Sequence, residues 1–299
     1  MHKSLSTADW LRPDGFPIAV QARSPQASTE RHGHDFSEIV IITGGHGLHT
    51  TGRQTQPVVT GDAFVLTGHR THSYDSVDNL SQINICYLPK KLRWHDWDLL
   101  TLPGYHALFS LEPTWRESRE FTNRFQFAHR DLAIVKSIID QLDGELRTRS
   151  PGFQALSAAL FAQIVCYMSR RYEGSIKPGG DVCPHAESVL RIAKAVGYIE
   201  RHFHEDIDFD KLTSLVHMTK RHLRRIFKES FGISPNSYLM RVRITRAVEL
   251  LKDDAYSITQ VAHRVGFDDS NYFSRQFRKL MQTTPSEFRR RMKAQQVNW

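Results

Sequence analysis

Hydrophobic positions along this chain follow two different periods. From about residue 16 to residue 89, short apolar runs alternate with turn residues: the run 38–43 leads into a glycine-rich stretch at 44–47, and the run 63–66 leads into Thr67 and Gly68. Runs of this length bounded by glycine are typical of β-strands. Their spacing predicts a small β-barrel or β-sandwich.

After the strands the period becomes helical. Apolar residues recur in steps of three and four at Leu132, Val135, Ile139, Leu142 and Leu146, which predicts an amphipathic helix. A second helix is predicted over 153–172. The apolar stripe fits the core of its own domain, and it fits equally a coiled-coil seam between two copies of the chain. We assign 108–173 to a helical dimerisation segment.

The last third of the chain is dense in helix signals. Residues 174–186 contain a Gly- and Pro-rich run with few large apolar residues, which indicates an interdomain linker. Beyond it, N-cap and C-cap residues divide 187–299 into seven predicted helices. The predicted N-caps are Asp208, Thr219, Ser234, Ser257 and either Asp269 or Ser270, and a further helix opens at Thr284 and Pro285.

Charge separates the same two regions. The chain has 299 residues, with 40 Lys+Arg, 32 Asp+Glu and a formal net charge of +8, all of which arises from Glu187 onward. A basic domain beside a neutral one indicates a polyanionic partner, usually nucleic acid. No apolar run is long enough for a membrane span, and the first residues lack a secretory signal, so we expect a cytoplasmic protein without a membrane partner. The 3 cysteines form no CxxC pair and support no disulfide framework.

Two segments of the basic region, 212–228 and 261–279, repeat one layout: a short helix, a tight turn, and a second helix with polar outward positions. The layout predicts two helix-turn-helix units, although solvated faces of two ordinary amphipathic helices would show the same pattern. Arginines four apart suit guanine, asparagine suits adenine, and aspartate can accept from cytosine. The candidate DNA-contacting residues are Arg221, His222, Arg224, Arg225, Asp269, Asn271, Ser274 and Arg275.

A family resemblance rests on these segments. The runs 219–228, 232–235, 243–247 and 265–277, followed by Thr284 and Pro285, resemble the tandem helix-turn-helix domain of AraC/XylS-type transcription regulators, over about the last 110 residues. The resemblance implies an upstream effector-binding domain, with double-stranded DNA, RNA polymerase and a second copy of the chain as partners. It also implies base-reading roles at the positions of Arg221, Arg225, Asp269 and Asn271. Two positions depart from the family pattern, Thr213 for Ala and His217 for Gly.

Histidines mark the predicted barrel. His32 and His34 alternate onto one strand face, Glu38 lies within reach of that face, and we expect His72 on a strand across the barrel. The segments 32–45 and 61–72 resemble the two cupin motifs, so 1–107 is predicted to be a cupin-like effector-binding barrel. Three imidazoles and a carboxylate suit Zn, Fe or Mn. A metal-free polar pocket and a purely structural role are the other two interpretations.

The whole chain is also similar to the bacterial L-rhamnose-responsive activators of this family, through the runs 34–42, 45–49, 72–74, 78–80 and 84–87. This resemblance implies that Tyr74, Gln82 and Asn84 line a sugar pocket, although Tyr74 fits ordinary barrel core as well. The predicted effector-binding set is therefore His32, His34, Glu38, His72, Tyr74, Gln82 and Asn84.

These observations predict a cupin-like β-barrel with a helical dimerisation segment, followed by an all-α tandem helix-turn-helix domain. The predicted function is a transcription activator that responds to a small sugar, L-rhamnose by resemblance, and controls sugar catabolism genes. We assign no catalytic residue and no cofactor, and expect no enzyme. The alternative is a metal-dependent cupin isomerase or dioxygenase fused to a DNA-binding module, with ligands His32, His34, Glu38 and His72. An oligomerisation barrel without a ligand is a third possibility.

Overall fold

The computed structural model describes residues 3–5, 15–52, 54–67, 71–92, 98–111, 125–175, 184–252 and 255–296. The chain divides into two compact units, Met1–Ala193 and Lys194–Trp299. The first unit contains the strands β1 (Lys3–Leu5), β2 (Ile18–Arg23), β3 (Thr29–His34), β4 (Ser37–Thr51), β5 (Gln54–Val59), β6 (Asp62–Leu66), β7 (His72–Tyr87) and β8 (Phe125–Gln126). It also contains the helices α1 (His129–Thr148) and α2 (Phe153–Ser175).

Two long strands organise the sheet, which forms the predicted cupin-like barrel. β4 and β7 pair with each other from Ser37↔Tyr87 to Thr51↔His72. On its other edge β4 pairs first with β6 and then with β5, while β7 pairs with β3 at its start and with β2 at its end. The predicted short runs are therefore parts of longer strands, and β4 continues through the glycine-rich stretch at 44–47.

The long strands bend where their register shifts. Gly45 has a φ of +67°, and Ser76 and Asn79 of β7 also have positive φ, 48° and 47°. A Cβ atom on Gly45 would lie 2.3 Å from the backbone oxygen of Asn79, so only glycine fits there. Such bulges let a strand keep pairing while it changes direction, and they turn the two ends of β7 toward one interior.

Helices α1 and α2 pack as an antiparallel pair, with α1 also in contact with β2. The Tyr167 hydroxyl donates to Asp131 Oδ1 at 2.7 Å, which joins the end of α2 to the start of α1. All five residues of the predicted stripe, Leu132, Val135, Ile139, Leu142 and Leu146, are buried within the single chain. The stripe is therefore core. These five positions do not form a coiled-coil seam between copies, because such a seam would be exposed in one chain, and the assignment of 108–173 to dimerisation stays a prediction.

The predicted linker 174–186 is helical at its two described ends. Gly174 and Ser175 complete α2, and Pro184 begins α3, because the local sequence continues each helix. Residues 176–183 lie outside the described part of the chain, as do residues 112–124 of the predicted dimerisation segment.

The second unit is helical. Seven helices lie within 184–296 as described, and the first of them begins before the boundary at Lys194. They are α3 (Pro184–His202), α4 (Phe209–Leu215), α5 (Lys220–Phe231), α6 (Pro235–Leu250), α7 (Ile258–Arg264), α8 (Ser270–Met281) and α9 (Pro285–Gln296). Each predicted N-cap side chain accepts a backbone hydrogen bond at the start of its helix, namely Asp208, Thr219, Ser234, Ser257 and Asp269. The capping residues alone thus predicted these helix starts.

One apolar core joins the later helices of this unit. Val261, Val265, Phe273 and Phe277 are fully buried against Ala247 of α6. Helix α3 joins α6 through a buried polar contact, in which the Tyr238 hydroxyl donates to Glu200 Oε1 at 2.9 Å. These contacts hold the α7–α8 pair in place, and α4 and α5 pack against each other as a second pair.

Candidate functional site

The barrel encloses a cavity of about 530 Å³. The sequence predicted seven effector-binding residues, and the structure places all of them on its wall: His32, His34, Glu38, His72, Tyr74, Gln82 and Asn84. Four of these side chains come from β7, two residues apart at each end of the strand, as expected where alternate side chains face one side of a sheet.

His72 does not lie across the barrel as predicted. It lies on β7 directly beside β3, in register with His32. The two rings are in contact, with centroids 4.3 Å apart. The physical reason is the length of β7, which reaches β3 as well as β2 and β4.

Glu38 and two histidines converge at one point of the cavity wall. His34 Nε2 lies 3.5 Å from Glu38 Oε2, and His72 Nε2 lies 3.9 Å from the same oxygen. The side chains are almost fully buried, and in the described part of the chain none of these three atoms has a hydrogen-bond partner. His32 of the predicted metal set does not join this group of ligand atoms; its Nδ1 contacts the Glu30 backbone oxygen at 2.9 Å.

The other ring nitrogens have partners. His34 Nδ1 lies 2.7 Å from the backbone oxygen of Phe36, which can only accept, so Nδ1 carries the hydrogen. His72 Nδ1 lies 3.4 Å from His49 Nε2. The Nε2 atom of each ring faces Glu38, and for His34 this Nε2 is the ring nitrogen that does not contact the Phe36 carbonyl.

Charge in this cluster follows from burial and from the mutual field of its members. Burial raises the pKa of Glu38, but His34, His72 and His32 together lower it below its usual value, so the carboxyl group is ionised. Burial lowers the pKa of His72 to about 3 against the opposing effect of Glu38, so its ring is neutral at pH 7. A buried carboxylate therefore faces neutral His72.

Further along the cavity wall lie Gln82 and Asn84. Gln82 Oε1 and Asn84 Oδ1 are buried and lack a hydrogen-bond partner among the residues that the structure describes. Phe36 and Tyr74 add aromatic surface to the same wall. Tyr87, the other tyrosine of this strand, is core instead, because it packs against Phe161 of α2 with ring centroids 5.1 Å apart.

On the first helix-turn-helix unit, α4 and α5, the predicted outward residues Arg221, His222, Arg224 and Arg225 are all exposed. Leu223, Ile226 and Phe227 of the same helix are buried. Arg225 Nη1 donates to Glu229 Oε1 at 2.6 Å, one turn along the helix. Helix α5 therefore presents four basic or imidazole side chains on its solvent face.

On the second unit, α7 and α8, Asn271 and Arg275 are exposed. Asp269 is exposed as well, but its Oδ1 accepts from the Asn271 backbone as the helix cap, at 2.8 Å. Ser274 is half-buried and donates to the Ser270 backbone oxygen at 2.9 Å. Tyr272, which the sequence reasoning missed, is 41% exposed beside Arg275.

Known families match both units. Residues 17–165 match the AraC-like ligand binding domain, and residues 212–291 match a helix-turn-helix domain. The chain is 30% identical over 282 residues to the HTH-type transcriptional activator RhaR of Escherichia coli K12, with 94% of each chain covered. The chain belongs to the AraC family of transcription regulators.

Other relatives of this AraC-family protein include the HTH-type transcriptional activator RhaS of Escherichia coli O1:K1, which is 27% identical over 95% of this chain and 96% of that one. Among solved structures, the DNA-binding domain of AdpA in complex with a target DNA is 28% identical, covers 36% of this chain and 98% of its own, and has a TM-score of 0.35. Within the described residues of this AraC-family chain, no helix is long and apolar enough to cross a membrane.

Of the two departures from the AraC-family pattern, Thr213 lies in α4 and His217 lies in the turn that follows it. His217 has a φ of 51° and Gly266, its counterpart in the second unit, has a φ of +89°. Both turns close with the same five-residue hydrogen bond, from Met218 to Thr213 at 3.0 Å and from Phe267 to Ala262 at 2.9 Å. The first turn therefore keeps the geometry of the second, although a non-glycine residue occupies its left-handed position.

Sequence reasoning missed part of the AraC-type cavity. Arg23, Gln26, Thr29 and Glu30 line it too. They lie on β2, on β3 and on the connection between them, where polar residues follow no motif. The pairing of Arg23 with Gln82 across β2 and β7 places its side chain at this wall, and no local pattern predicts that pairing.

Proposed function

We propose that this AraC-family protein is a transcription activator that binds a small sugar, L-rhamnose, in its barrel cavity and controls sugar catabolism genes. The observation that carries the proposal is the convergence of seven predicted effector-binding side chains on one cavity of about 530 Å³. This size lies in the range of small-molecule sites, about 300–1,000 Å³.

The chemistry of the wall suits a polyol. A sugar offers hydroxyl hydrogens and needs acceptors, and Gln82 Oε1 and Asn84 Oδ1 are buried acceptors without a partner in the described residues. Arg23 supplies donors on the same wall, and Phe36 and Tyr74 supply aromatic faces for the apolar side of a sugar ring. The choice of L-rhamnose rests on the sequence resemblance to L-rhamnose-responsive activators.

The DNA-binding half of the proposal assigns base contacts to Arg221, Arg225, Asp269 and Asn271, and supporting contacts to His222, Arg224, Ser274 and Arg275. Their support is exposure on two capped helices, for all except half-buried Ser274, within a unit that carries the entire net charge of +8. We further propose that the protein acts in the cytoplasm as a homodimer that contacts RNA polymerase. Effector binding would shift the population of DNA-binding states, as any ligand with different affinity for two states does.

A calorimetric titration of L-rhamnose into the full-length protein tests the effector, with L-arabinose and L-fucose as comparators. We expect saturable binding that is selective for L-rhamnose. Asn84→Ala removes one buried acceptor and should weaken binding by about 1–3 kcal/mol. His46→Ala is the control, because this barrel histidine is exposed, with a side-chain exposure of 63%. Binding that Asn84→Ala and His46→Ala affect equally would contradict the assignment of the cavity.

A further inference from the structure

Three side-chain atoms of the kinds that bind metal ions converge on the wall of the barrel cavity. His34 Nε2, Glu38 Oε2 and His72 Nε2 lie within 4.8 Å of one another. All three residues are buried, and within the described ranges none of the three atoms has a hydrogen-bond partner. Buried polar atoms normally have a partner, and a positive charge among two imidazole nitrogens and a buried carboxylate would stabilise the carboxylate.

Their neighbours fix the orientation of the two rings. The Phe36 backbone oxygen holds His34 Nδ1 at 2.7 Å, so His34 turns Nε2 toward Glu38. His49 Nε2 lies 3.4 Å from His72 Nδ1 and supports the equivalent orientation of the second ring. Metal-binding histidines in proteins are usually held in this way, through the ring nitrogen that does not bind the metal.

We propose that His34, Glu38 and His72 bind a divalent transition metal ion in the barrel cavity. Two imidazoles and one carboxylate are ligands for Zn²⁺, Fe²⁺ or Mn²⁺ rather than for Ca²⁺ or Mg²⁺, which prefer oxygen. The nitrogen–oxygen distances of 3.5 and 3.9 Å compare with about 3.0–3.5 Å between ligands on bonds of about 2.1 Å. Small side-chain rotations close the remaining difference.

The proposed site consists of three protein ligands, not the four named by the alternative, metal-dependent interpretation of the sequence. His32 lies in the same cavity, but its ring contacts His72 and its Nδ1 contacts Glu30. Three protein ligands leave at least one coordination position for a small molecule, as in catalytic rather than structural metal sites. Because Gln82 and Asn84 line the same cavity, a ligand on the metal could also reach their amide oxygens.

The metal would therefore take a hydroxyl group of the effector as an additional ligand. This second step rests on the proposed function, because it requires a polyol in the cavity. The metal site itself does not depend on that function, since the ion needs only the three side chains.

Metal binding is tested on full-length protein without a histidine tag, stripped by a chelator and titrated separately with Co²⁺, Zn²⁺, Mn²⁺ and, without oxygen, Fe²⁺. We expect one ion per chain after gel filtration, and X-ray absorption of the Zn²⁺ form should show two imidazole ligands at about 2.0–2.1 Å. Glu38→Gln, which keeps the shape and removes the charge, should weaken binding by at least about tenfold. His46→Ala and His32→Ala should retain the ion.

Two results would overturn the metal site: wild-type protein that retains none of Zn²⁺, Co²⁺, Mn²⁺ or Fe²⁺, or folded Glu38→Gln that binds as wild type does. The X-ray absorption measurement decides the ligand set on wild-type protein even if Glu38→Gln does not fold. The effector step is tested by titrating L-rhamnose into metal-loaded and metal-free protein. Tighter binding to the loaded form supports it, and equal binding refutes it. Absence of sugar binding in both forms refutes the proposed function while the ion count still decides the metal site.

Discussion

Arg225 and Glu229 form an ion pair along the solvent face of α5, with Arg225 Nη1 2.6 Å from Glu229 Oε1. Both side chains are nearly half exposed, at 45% and 44%. The arginine proposed to read a base is thus held by an acidic neighbour before DNA arrives. The carboxylate both competes for the guanidinium group and adds a negative charge where phosphates would approach.

Replacing the two partners should change DNA affinity in opposite directions. We expect Arg225→Ala to weaken binding to the cognate site by about 1–3 kcal/mol and to relax one base position. Glu229→Gln should strengthen binding by about 0.2–1 kcal/mol, the usual strength of an exposed pair. Fluorescence anisotropy at fixed salt measures both variants.

Lys136 and Asp140 on α1 provide a matched control, because they form the same i,i+4 pair at 2.8 Å in the other unit. Lys136→Ala should leave DNA affinity unchanged. If Arg225→Ala weakens binding to all sequences equally, Arg225 contacts phosphate rather than a base.

DNA affinity should fall steeply with salt. Each neutralised phosphate contributes a slope of about −0.9 in a plot of log K against log salt, and apart from the proposed base readers α5 and α8 expose Arg224, Arg275 and Arg278. We expect a slope of about −3 or steeper. A flat salt response, measured between about 50 and 200 mM, would contradict the assignment of these two helices to DNA.

A glycine in place of His217, in the turn of the first helix-turn-helix unit, should stabilise the folded protein. His217 adopts a φ of 51°, which costs a non-glycine residue about 1–2 kcal/mol. Glycine also gains freedom in the unfolded chain, about 0.4–1 kcal/mol. We therefore expect His217→Gly to raise the free energy of unfolding by up to about 1 kcal/mol, as measured by urea denaturation of the full chain.

Gly266 is the matched position in the second unit, and replacing this glycine by a residue with a side chain should destabilise the protein. A Cβ atom would lie 2.8 Å from the Phe203 backbone oxygen and 2.9 Å from Arg243 Nη2. Gly266→Ala should lower the free energy of unfolding by more than about 1 kcal/mol. A destabilising effect of His217→Gly would show that the imidazole makes contacts that outweigh its backbone strain.

Lowering the pH should reduce the free energy of unfolding of the first unit, because of His106. Burial lowers the pKa of this histidine to about 4, against the effect of its hydrogen bond to the Leu100 backbone oxygen. The unfolded chain takes up a proton below about pH 6.5 and the folded chain only near pH 4, so stability falls as pH falls through this window. The expected loss from His106 is about 2 kcal/mol between pH 7 and pH 5.

His106→Gln cannot take up that proton and should remove this part of the pH dependence, as measured by urea denaturation at the two pH values. His129→Gln is the control, because His129 is exposed at the start of α1. An unchanged pH dependence in His106→Gln would assign the acid sensitivity to other groups.

The sequence predicts those parts of the fold that depend on residues close together in the chain. Ser257 and Thr219 cap their helices through hydrogen bonds to residues three positions away, so their role is visible in a few adjacent letters. The path of β7 is not local. Ser76 and Asn79 resemble turn residues, yet the strand continues through both with positive φ because β4 pairs along its whole length.

The residues that line the cavity also divide into those that a local motif predicts and those that it does not. His34 and Glu38 share one short motif, and the sequence placed them together correctly. Arg23 faces the same cavity only because β2 pairs with the far end of β7. The paired residues are about 60 positions apart, and the periodicity of the sequence gives no information about such a long-range contact. The apolar stripe around Val135 is a different case. Its periodicity predicts the helix, but it does not show whether the stripe packs against the same chain or against a second copy.

The two turns of the DNA-binding unit also differ in how freely they can change during evolution. At Gly266, the Phe203 backbone and Arg243 fill the space that any side chain would need, whereas His217 already carries a side chain that points into solvent. Mutations can therefore accumulate in the first turn while purifying selection keeps the second as glycine. Divergence between descendants of this protein should accordingly be concentrated in the first turn.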